Sequence, residues 1–320
     1  MTTSAGALRI GTRGSDLARW QATRVRDLLA ARGVAAELVT IRTSGDEGSR
    51  ARPAPGTTGK GLFTKEIEDA LLGGRVDLAV HSLKDLSVEL PRGLTIAAYP
   101  EREDARDALV SAHGGGVIEL PRGARVGTSS LRRRAALLAA RPDLEIVTLR
   151  GNVPTRVKQV GRNGLEAAVL ALAGLKRLGL ADGAVPLPLD WFPPAPGQGA
   201  LALEARANDR AVLDLLRPLD QPSVRCAVEA ERTALAELEG GCQAAIGAFC
   251  EHGRDGLVLQ VRVFAPDGTR QLSARGPVDP GDPAKSGRIV ARDLVLQGAR
   301  DLIRAADQFA ARSGIGREEA

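Results

Sequence analysis

Cys242 stands behind two glycines in the run Leu238-Glu239-Gly240-Gly241-Cys242-Gln243, in a chain with only three cysteines. A thiol on so pliable a stretch can be reached by a bulky partner. The other two cysteines read differently: Cys226 falls at core spacing on a helical pattern, and Cys250 ends an apolar run. Both are expected to be buried and inert. A second reactive group is Asp85, in Ala79-Val80-His81-Ser82-Leu83-Lys84-Asp85-Leu86, which follows an apolar strand pattern. A carboxylate among cations stays ionised and can exchange a proton or stabilise a cation. The plainer alternative is a structural aspartate paired to Lys84. His81 is expected to be buried and hydrogen-bonded.

Arginines form the third group, and their positions matter more than their number. Thr128-Ser129-Ser130-Leu131-Arg132-Arg133-Arg134 puts three of them in the first turn of a helix. The helix macrodipole disfavours cations there by a few tenths to about 1 kcal/mol each, a cost that a bound anion reverses. A solvated basic helix end is the alternative. Arg13 and Ser15 repeat the arrangement, Arg150-Gly151-Asn152 with Arg156 sits at another strand-to-helix turn, and Arg177 follows Lys176 in a further one. Arginine suits forked recognition of carboxylates. Gly56-Thr57-Thr58-Gly59-Lys60-Gly61 resembles a phosphate loop, but position 54 is Ala and Lys60 precedes Gly rather than Ser or Thr. Lys60 is therefore an expected anion contact on a loop, and no nucleotide site is expected. The three histidines lie far apart, so no metal is expected. These groups together suit an enzyme that holds an acidic organic molecule.

The elements needed to position them alternate. Strands are expected at Leu8–Gly11, Glu37–Ile41, Val76–Val80 and Leu94–Ala98, with helices at Asp16–Ala31 and, capped by Thr64, at Thr64–Leu72. A second set begins near Asp107: strands Arg125–Gly127, Glu145–Leu149 and Ala167–Leu170, and helices Ser130–Ala140, Val153–Val160 and Ala173–Leu178. This βαβ rhythm means mostly parallel sheets with helices on both faces. Arg42–Gly61 is rich in Gly, Pro and Thr and long for a loop, which suggests a binding loop or lid. The Pro-rich Val185–Gly199 reads as a crossover, after which strand Ala200–Glu204 returns to the first sheet. A third part starts after Pro222: a helix Ser223–Leu238 capped by Ser223, strands Ala245–Cys250, Leu257–Phe264 and Arg270–Ala274, and one long helix Ser286–Ala311. That order implies a small α+β domain with an antiparallel three-stranded sheet. Arg9-Ile10-Gly11-Thr12 is echoed by Arg125-Val126-Gly127-Thr128, which implies two related domains facing one cleft. Ligands bind outside the carboxyl ends of such strands.

Composition narrows the classes. The chain has 320 residues, enough for two or three domains. Aromatics are only 2%, so the core is built from Leu, Val, Ile and Ala, and stacking platforms for single-stranded nucleic acid are missing. The net charge of +5 motivates a nucleic-acid reading, and the two-lobed pattern motivates a solute-binding one. Of the 44 basic residues only six are lysine, as codon bias or function would each produce. The N-terminal MTTSAGALRIGTRGS has no basic-then-apolar run, and no stretch of about 18 apolar residues exists. With no CxxC spacing, a disulfide framework and a structural zinc are not expected, and a reduced, cytoplasmic protein is.

Nine segments in order, RIGTRGS, GKGLFTKE, AVHSLKD, EREDARDA, VGTSSLRR, LRGNVPTR, LAGLKRLG, PGQGAL and LEGGCQ, resemble the porphobilinogen deaminase (hydroxymethylbilane synthase) family over nearly the whole chain. The resemblance implies an α/β fold: two periplasmic-binding-protein-like domains around a cleft, residues 1–101 with 200–218 and residues 102–199, then a third domain, 219–320, carrying the cysteine. It implies a dipyrromethane cofactor held by Cys242 through a thioether. Four porphobilinogens then add head to tail, each losing ammonia, and hydrolysis releases 1-hydroxymethylbilane. It makes Asp85 the proton carrier that also stabilises cationic intermediates. Arg13, Lys84, Arg132, Arg133, Arg150, Arg156 and Arg177 would bind the acetate and propionate groups. Ser15, Ser82, Thr128, Ser129 and Ser130 would add hydrogen bonds, and Gly151, Asn152 and Gln198 belong to the matched motifs that line the site. Lys60 and Phe63 would lie on the lid side. The partners implied are porphobilinogen and linear polypyrroles, without metal, membrane or nucleic acid, and the enzyme would be a monomer. Ser87, Ala244-Ala245 and Thr57-Thr58 depart from the usual Pro, Val-Pro and Gly-rich residues, which bears on turn stiffness and lid mobility.

Overall fold

The computed structural model describes residues 7–43, 64–240 and 244–313. The chain divides into two compact units, Met1–Arg102 with Ala200–Arg225 and Glu103–Gly199 with Cys226–Ala320.

In the first unit β1 (Leu8–Thr12), β2 (Ala36–Thr40), β3 (Leu78–Ser82) and β4 (Leu94–Ala98) share a sheet with β10 (Leu201–Arg206), in the order β2-β1-β3-β10-β4. β1 runs parallel to β2 and β3, and β10 runs antiparallel to β3 and β4. The expected return of the chain after residue 200 to the first sheet is thus observed. Helix α1 (Asp16–Ala30) contributes Ala22, Val25 and Leu29 to a core with Ile10, Leu78, Val80, Leu201 and Leu203. Helix α2 (Lys65–Leu72) contributes Ile67, Ala70 and Leu71 to a second core with Ala79 and Leu94. Alternate residues of β3 therefore serve opposite faces, as the period-two rule of a strand requires.

The second unit repeats this plan. β5 (Asp107–Ser111), β6 (Arg125–Gly127), β7 (Glu145–Val147), β8 (Ala167–Ala171) and β9 (Val185–Pro186) order as β7-β6-β8-β5-β9. β6 is parallel to β7 and β8, while β5 is antiparallel to β8 and β9. The echoed Arg-Ile-Gly-Thr and Arg-Val-Gly-Thr runs fall on β1 and β6, the second strand in each order. Helices α3 (Leu131–Ala140), α4 (Val153–Gln159) and α5 (Leu172–Arg177) follow β6, β7 and β8. Strands β11 (Ile246–Gly253), β12 (Gly256–Phe264) and β13 (Gln271–Pro277) form the expected antiparallel three-stranded sheet. Helix α6 (Arg210–Leu216), which the sequence reading omitted, precedes α7 (Pro222–Glu237).

Several expectations need correction. Thr64 occupies the cap position of α2, but its side chain caps nothing. Helix α7 begins at Pro222, whose fixed φ suits a first helical turn, so Ser223 lies inside the helix. The strand expected at Val76–Val80 starts two residues later, because the Val76 N–H returns to Ala70 O to close helix α2. The long C-terminal helix is two, α8 (Pro283–Leu296) and α9 (Ala299–Ser313), broken where Gly298 takes φ +96°. The Pro-rich stretch is packed rather than loose: Phe192 and Gln198 are fully buried. Cys250 lies inside β11 instead of ending it, and Cys226 is half-buried.

Candidate active site

In the first unit two groups of expected residues emerge at one sheet edge. β1 ends at Thr12, so Arg13 follows directly, and Ser15 caps α1 by accepting the Ala18 N–H at 3.3 Å. The neighbouring parallel strand β3 ends at Ser82, whose Oγ accepts from Gln21 Nε2 at 2.8 Å. The turn Leu83–Asp85 comes next, held by Leu83 N–H donating to Ala200 O at 3.0 Å. Lys84 and Asp85 are half-buried. Arg13, Ser15, Ser82, Lys84 and Asp85 therefore share the carboxyl ends of two adjacent parallel strands, where α/β sheets bind ligands. Behind the turn, His81 is buried and pairs with Glu204 at Nε2–Oε2 3.0 Å. Glu68 is buried on α2; desolvation, then the Glu204 charge, pushes its carboxyl above the ordinary range. Glu204 and Glu68 carried no signal in periodicity, since both interrupt apolar patterns.

In the second unit the carboxyl ends of β6, β7 and β8 carry the remaining described residues. After β6, Thr128 Oγ1 accepts the Ser130 N–H at 3.1 Å, Ser129 Oγ donates to Leu149 O at 2.8 Å, and Ser130 caps α3. After β7 come exposed Arg150, then Gly151 and Asn152, whose Oδ1 caps α4 through Thr155 N–H at 3.0 Å. Arg156 Nε donates to Gly151 O at 2.6 Å. After β8, Arg177 ends α5 and donates through Nη2 to Gly199 O at 2.7 Å. Beside it, exposed Lys176 pairs with Glu103 at 2.9 Å; the Asp104 N–H and Lys176 hold the Glu103 carboxyl below its usual range.

The three arginines of α3 part company. Arg132 and Arg133 are buried and both meet Asp107, Arg132 through Nη1 to Oδ2 at 2.7 Å and Arg133 through Nε to Oδ1 at 3.0 Å. Arg134 lies over the Phe309 ring, 5.1 Å from its centroid, and burial lowers its pKa. The anion that two of these cations meet thus belongs to the protein. Asp107 is the residue that sequence reasoning missed. β5 starts beside the end of β8, Asp107 opposite Ala171, which delivers its carboxylate to the strand-end edge. Gln198 joins it, Nε2 to Oδ1 at 3.0 Å. Asp107 is one of four acids in the motif Glu101–Ala108, and nothing in that run set it apart from Glu101, Glu103 and Asp104.

Cys242, Lys60, Phe63 and most of the expected lid lie outside the described residues. Helix α7 and strand β11 bracket the cysteine in sequence. Among the described residues no group of three or more His, Cys, Asp or Glu is arranged to hold a metal, and no helix is long and apolar enough to cross a membrane.

The donor chemistry fits a cofactor bearing several carboxylates. Guanidinium, ammonium and hydroxyl groups dominate the strand ends of both units, and Asp107, an acid among them, is matched by two arginines. Edges so rich in cations and hydroxyl groups define a protein suited to a polyacidic organic molecule. Two family models match the chain: the dipyrromethane cofactor-binding domain of porphobilinogen deaminase over residues 8–214 and the C-terminal domain of the same enzyme over residues 225–295. Porphobilinogen deaminase of Moorella thermoacetica is 48% identical over 304 residues, covering 92% of this chain and 95% of its own. That of Geobacter sulfurreducens is 46% identical over 301 residues, covering 92% and 93%. Solved structures superpose loosely: a periplasmic substrate-binding protein of an ABC transporter from Coxiella burnetii gives a TM-score of 0.41 at 18% identity, over 68% of this chain and 93% of that one. The chain belongs to the porphobilinogen deaminase family. It is a transferase of tetrapyrrole biosynthesis that polymerises porphobilinogen to hydroxymethylbilane and uses a dipyrromethane cofactor.

Proposed function

We propose that Cys242 carries the cofactor through a thioether and that Asp85 moves the protons of each condensation. The observation that supports Asp85 is its position: it is the half-buried carboxyl on the turn that follows the central parallel strand β3, at the edge shared with Arg13 and Lys84. When bound, the cofactor supplies the nucleophilic pyrrole carbon to which the first porphobilinogen is joined. Asp85 holds a proton at the aminomethyl nitrogen of the incoming porphobilinogen, so that ammonia leaves as a neutral molecule. After the carbon–carbon bond forms, its carboxylate takes the α-proton from the pyrrole carbon that attacked, which restores that ring's aromaticity and makes Asp85 ready for the next unit. Its negative charge also stabilises the positive charge developed between these steps. Four units join in this way, head to tail, and water releases the chain.

The remaining residues bind. Arg13 and Lys84, with Ser15 and Ser82, neutralise acetate and propionate groups on the first unit's edge. Arg150, Arg156 and Arg177 do so on the second unit's edge, with Thr128, Ser129, Ser130, Gly151 and Asn152 supplying hydrogen bonds. Arg132 and Arg133 act there from the setting that Asp107 and Gln198 give them. Lys60, which precedes α2 in sequence, adds a further contact. We take the enzyme to be a cytoplasmic monomer without a membrane or nucleic-acid partner, and the domains to be residues 1–101 with 200–218, 102–199 and 219–320.

The test is the intact mass of denatured protein beside Cys242→Ser. The expected result is an excess of two linked porphobilinogen-derived rings that the variant lacks. If porphobilinogen adds no mass to the wild-type chain and no ammonia appears, the reading fails. Asp85→Asn is expected to keep the covalent cofactor and lose turnover by roughly 100- to 10,000-fold, the usual worth of a positioned acid–base group. Near-normal ammonia release would remove Asp85 from that role.

A further inference from the structure

A chain of buried hydrogen bonds inside the second unit runs between two segments that the proposed chemistry uses separately. It starts on β11, just past the cysteine segment, where the Cys250 N–H donates to Glu231 Oε1 at 2.8 Å. Glu231 belongs to α7, just before that segment, and its other oxygen accepts the Gly197 N–H at 2.8 Å. Gln198 comes next and donates through Nε2 to Ala105 O at 2.7 Å and Asp107 Oδ1 at 3.0 Å. Asp107 then receives Arg132 and Arg133 from the first turn of α3. The Pro-rich stretch is tied in twice more, by Arg132 Nη1 donating to Pro193 O at 2.7 Å and by Ala248 N–H donating to Pro194 O at 3.0 Å. Glu231, Gln198 and Asp107 are each 0% exposed.

Two features separate this chain from ordinary core packing. Buried carboxyl groups are expensive unless their hydrogen bonds are completed, and apolar residues of similar volume hold a core at least as well. Here both oxygens of Glu231 and both of Asp107 are engaged. In addition, its ends are particular. One end joins α7 to β11, which precede and follow Cys242 in sequence, and the other sets two guanidinium groups at the strand-end edge. A fully satisfied polar network fixes a single arrangement where apolar contacts tolerate sliding.

The geometry points to Glu231 and Asp107 as positioning residues of the transferase: through the Pro193–Gly199 stretch they hold the cysteine bracket in register with Arg132 and Arg133, so that a group bound to the thiol meets those arginines with its carboxylates. This inference rests on the Cys242 attachment proposed above. The test follows loading of the cofactor-free full-length protein with porphobilinogen by intact mass, for wild type, Glu231→Gln, Asp107→Asn and the double variant. Glu231→Gln keeps the shape but turns an amide NH2 toward one of two N–H donors; Asp107→Asn removes the charge that two guanidinium groups face. Val261→Ala, in the fully buried middle of β12, serves as a control for lost stability. Each single variant is expected to load roughly 10- to 100-fold more slowly, as misplacement by about 1 Å does. The control should load at the wild-type rate, and small-molecule alkylation of Cys242 should be equal in all. The double variant should load no more slowly than the worse single one, because the two residues act through one network. Loading of both singles at the control's rate, or multiplied effects in the double, would overturn the inference. Failure of the wild type to gain mass would instead remove the attachment reading on which it rests.

Discussion

Gly268 lies in the turn between β12 and β13 with φ +76°, and a Cβ there would sit 2.5 Å from Ala139 N and 2.8 Å from Ala135 O, both backbone atoms of α3. Gly179 has nearly the same backbone angle, φ +65°, but a Cβ there would meet nothing within 4 Å. The pair separates two energies. An alanine at Gly179 pays only for the left-handed conformation, about 1–2 kcal/mol. An alanine at Gly268 carries that cost plus overpacking against helix backbone that cannot rotate away, a further ~1–3 kcal/mol. Gly268→Ala should therefore destabilise the second unit by about 2–5 kcal/mol and Gly179→Ala by about 1–2 kcal/mol. Of the two tryptophans, Trp20 lies in the first unit and Trp191 in the second, so urea unfolding in a Trp20→Phe background reads the second unit by Trp191 emission. Gly268→Ala should also slow cofactor loading, since α3 carries the Thr128–Arg133 turn. Equal destabilisation by the two substitutions would refute the reasoning, because it would mean that the hairpin and helix part without penalty.

Three other outcomes can be checked. Arg132→Ala should cost roughly 3 kcal/mol, the low end for breaking a buried ion pair, since Arg133 and Gln198 stay on Asp107; exposed Arg150→Ala should stay within about 0.5 kcal/mol yet raise KM for porphobilinogen, as urea melts beside steady-state kinetics would record. Glu68→Gln should raise the thermal midpoint of the first unit at pH 7 and leave it unchanged near pH 4. Burial, then the Glu204 charge, raises the Glu68 carboxyl from its ordinary 4.5, so the wild type keeps its full stability below that value and loses part of it as pH climbs through the raised one; an equal difference at both pH values would contradict this. Cys226 should alkylate slowly at pH 7.5 in the Cys242→Ser variant, because burial and then the Glu229 and Asp279 charges raise its thiol above the usual range. Rapid labelling at Cys226, located by peptide mass, would count against it.

Local patterns carried most of the fold. Period-two runs such as Leu94–Ala98 are short-range signals and appear where their residues put them, whereas neither cap expected from sequence, Thr64 or Ser223, caps its helix. The return of the chain at residue 200 was legible too, because an apolar run after a Pro-rich crossing has few places to go. Boundaries set by competition were not: Val76 is as apolar as Val80, and only the closing turn of α2 decides that it bonds to the helix. The break at Gly298 was visible as a residue type but was overridden by the apolar periodicity on either side.

The sequence by itself determined the element types, the two echoed strand-to-helix turns and the ordered motifs that match the family, and with them the supply of an aspartate, a thiol and many arginines. Residue type and spacing suffice for these, since they depend on neighbours a few positions apart. Only the tertiary structure decided what each arginine does. Arg132, Arg133 and Arg134 are indistinguishable as letters, yet two close on Asp107, 25 and 26 residues away, and the third lies over Phe309. Which acid neutralises which base depends on where antiparallel β5 begins beside β8 and on the burial that makes an unpaired charge intolerable there, and both are properties of packed strands rather than of any local run.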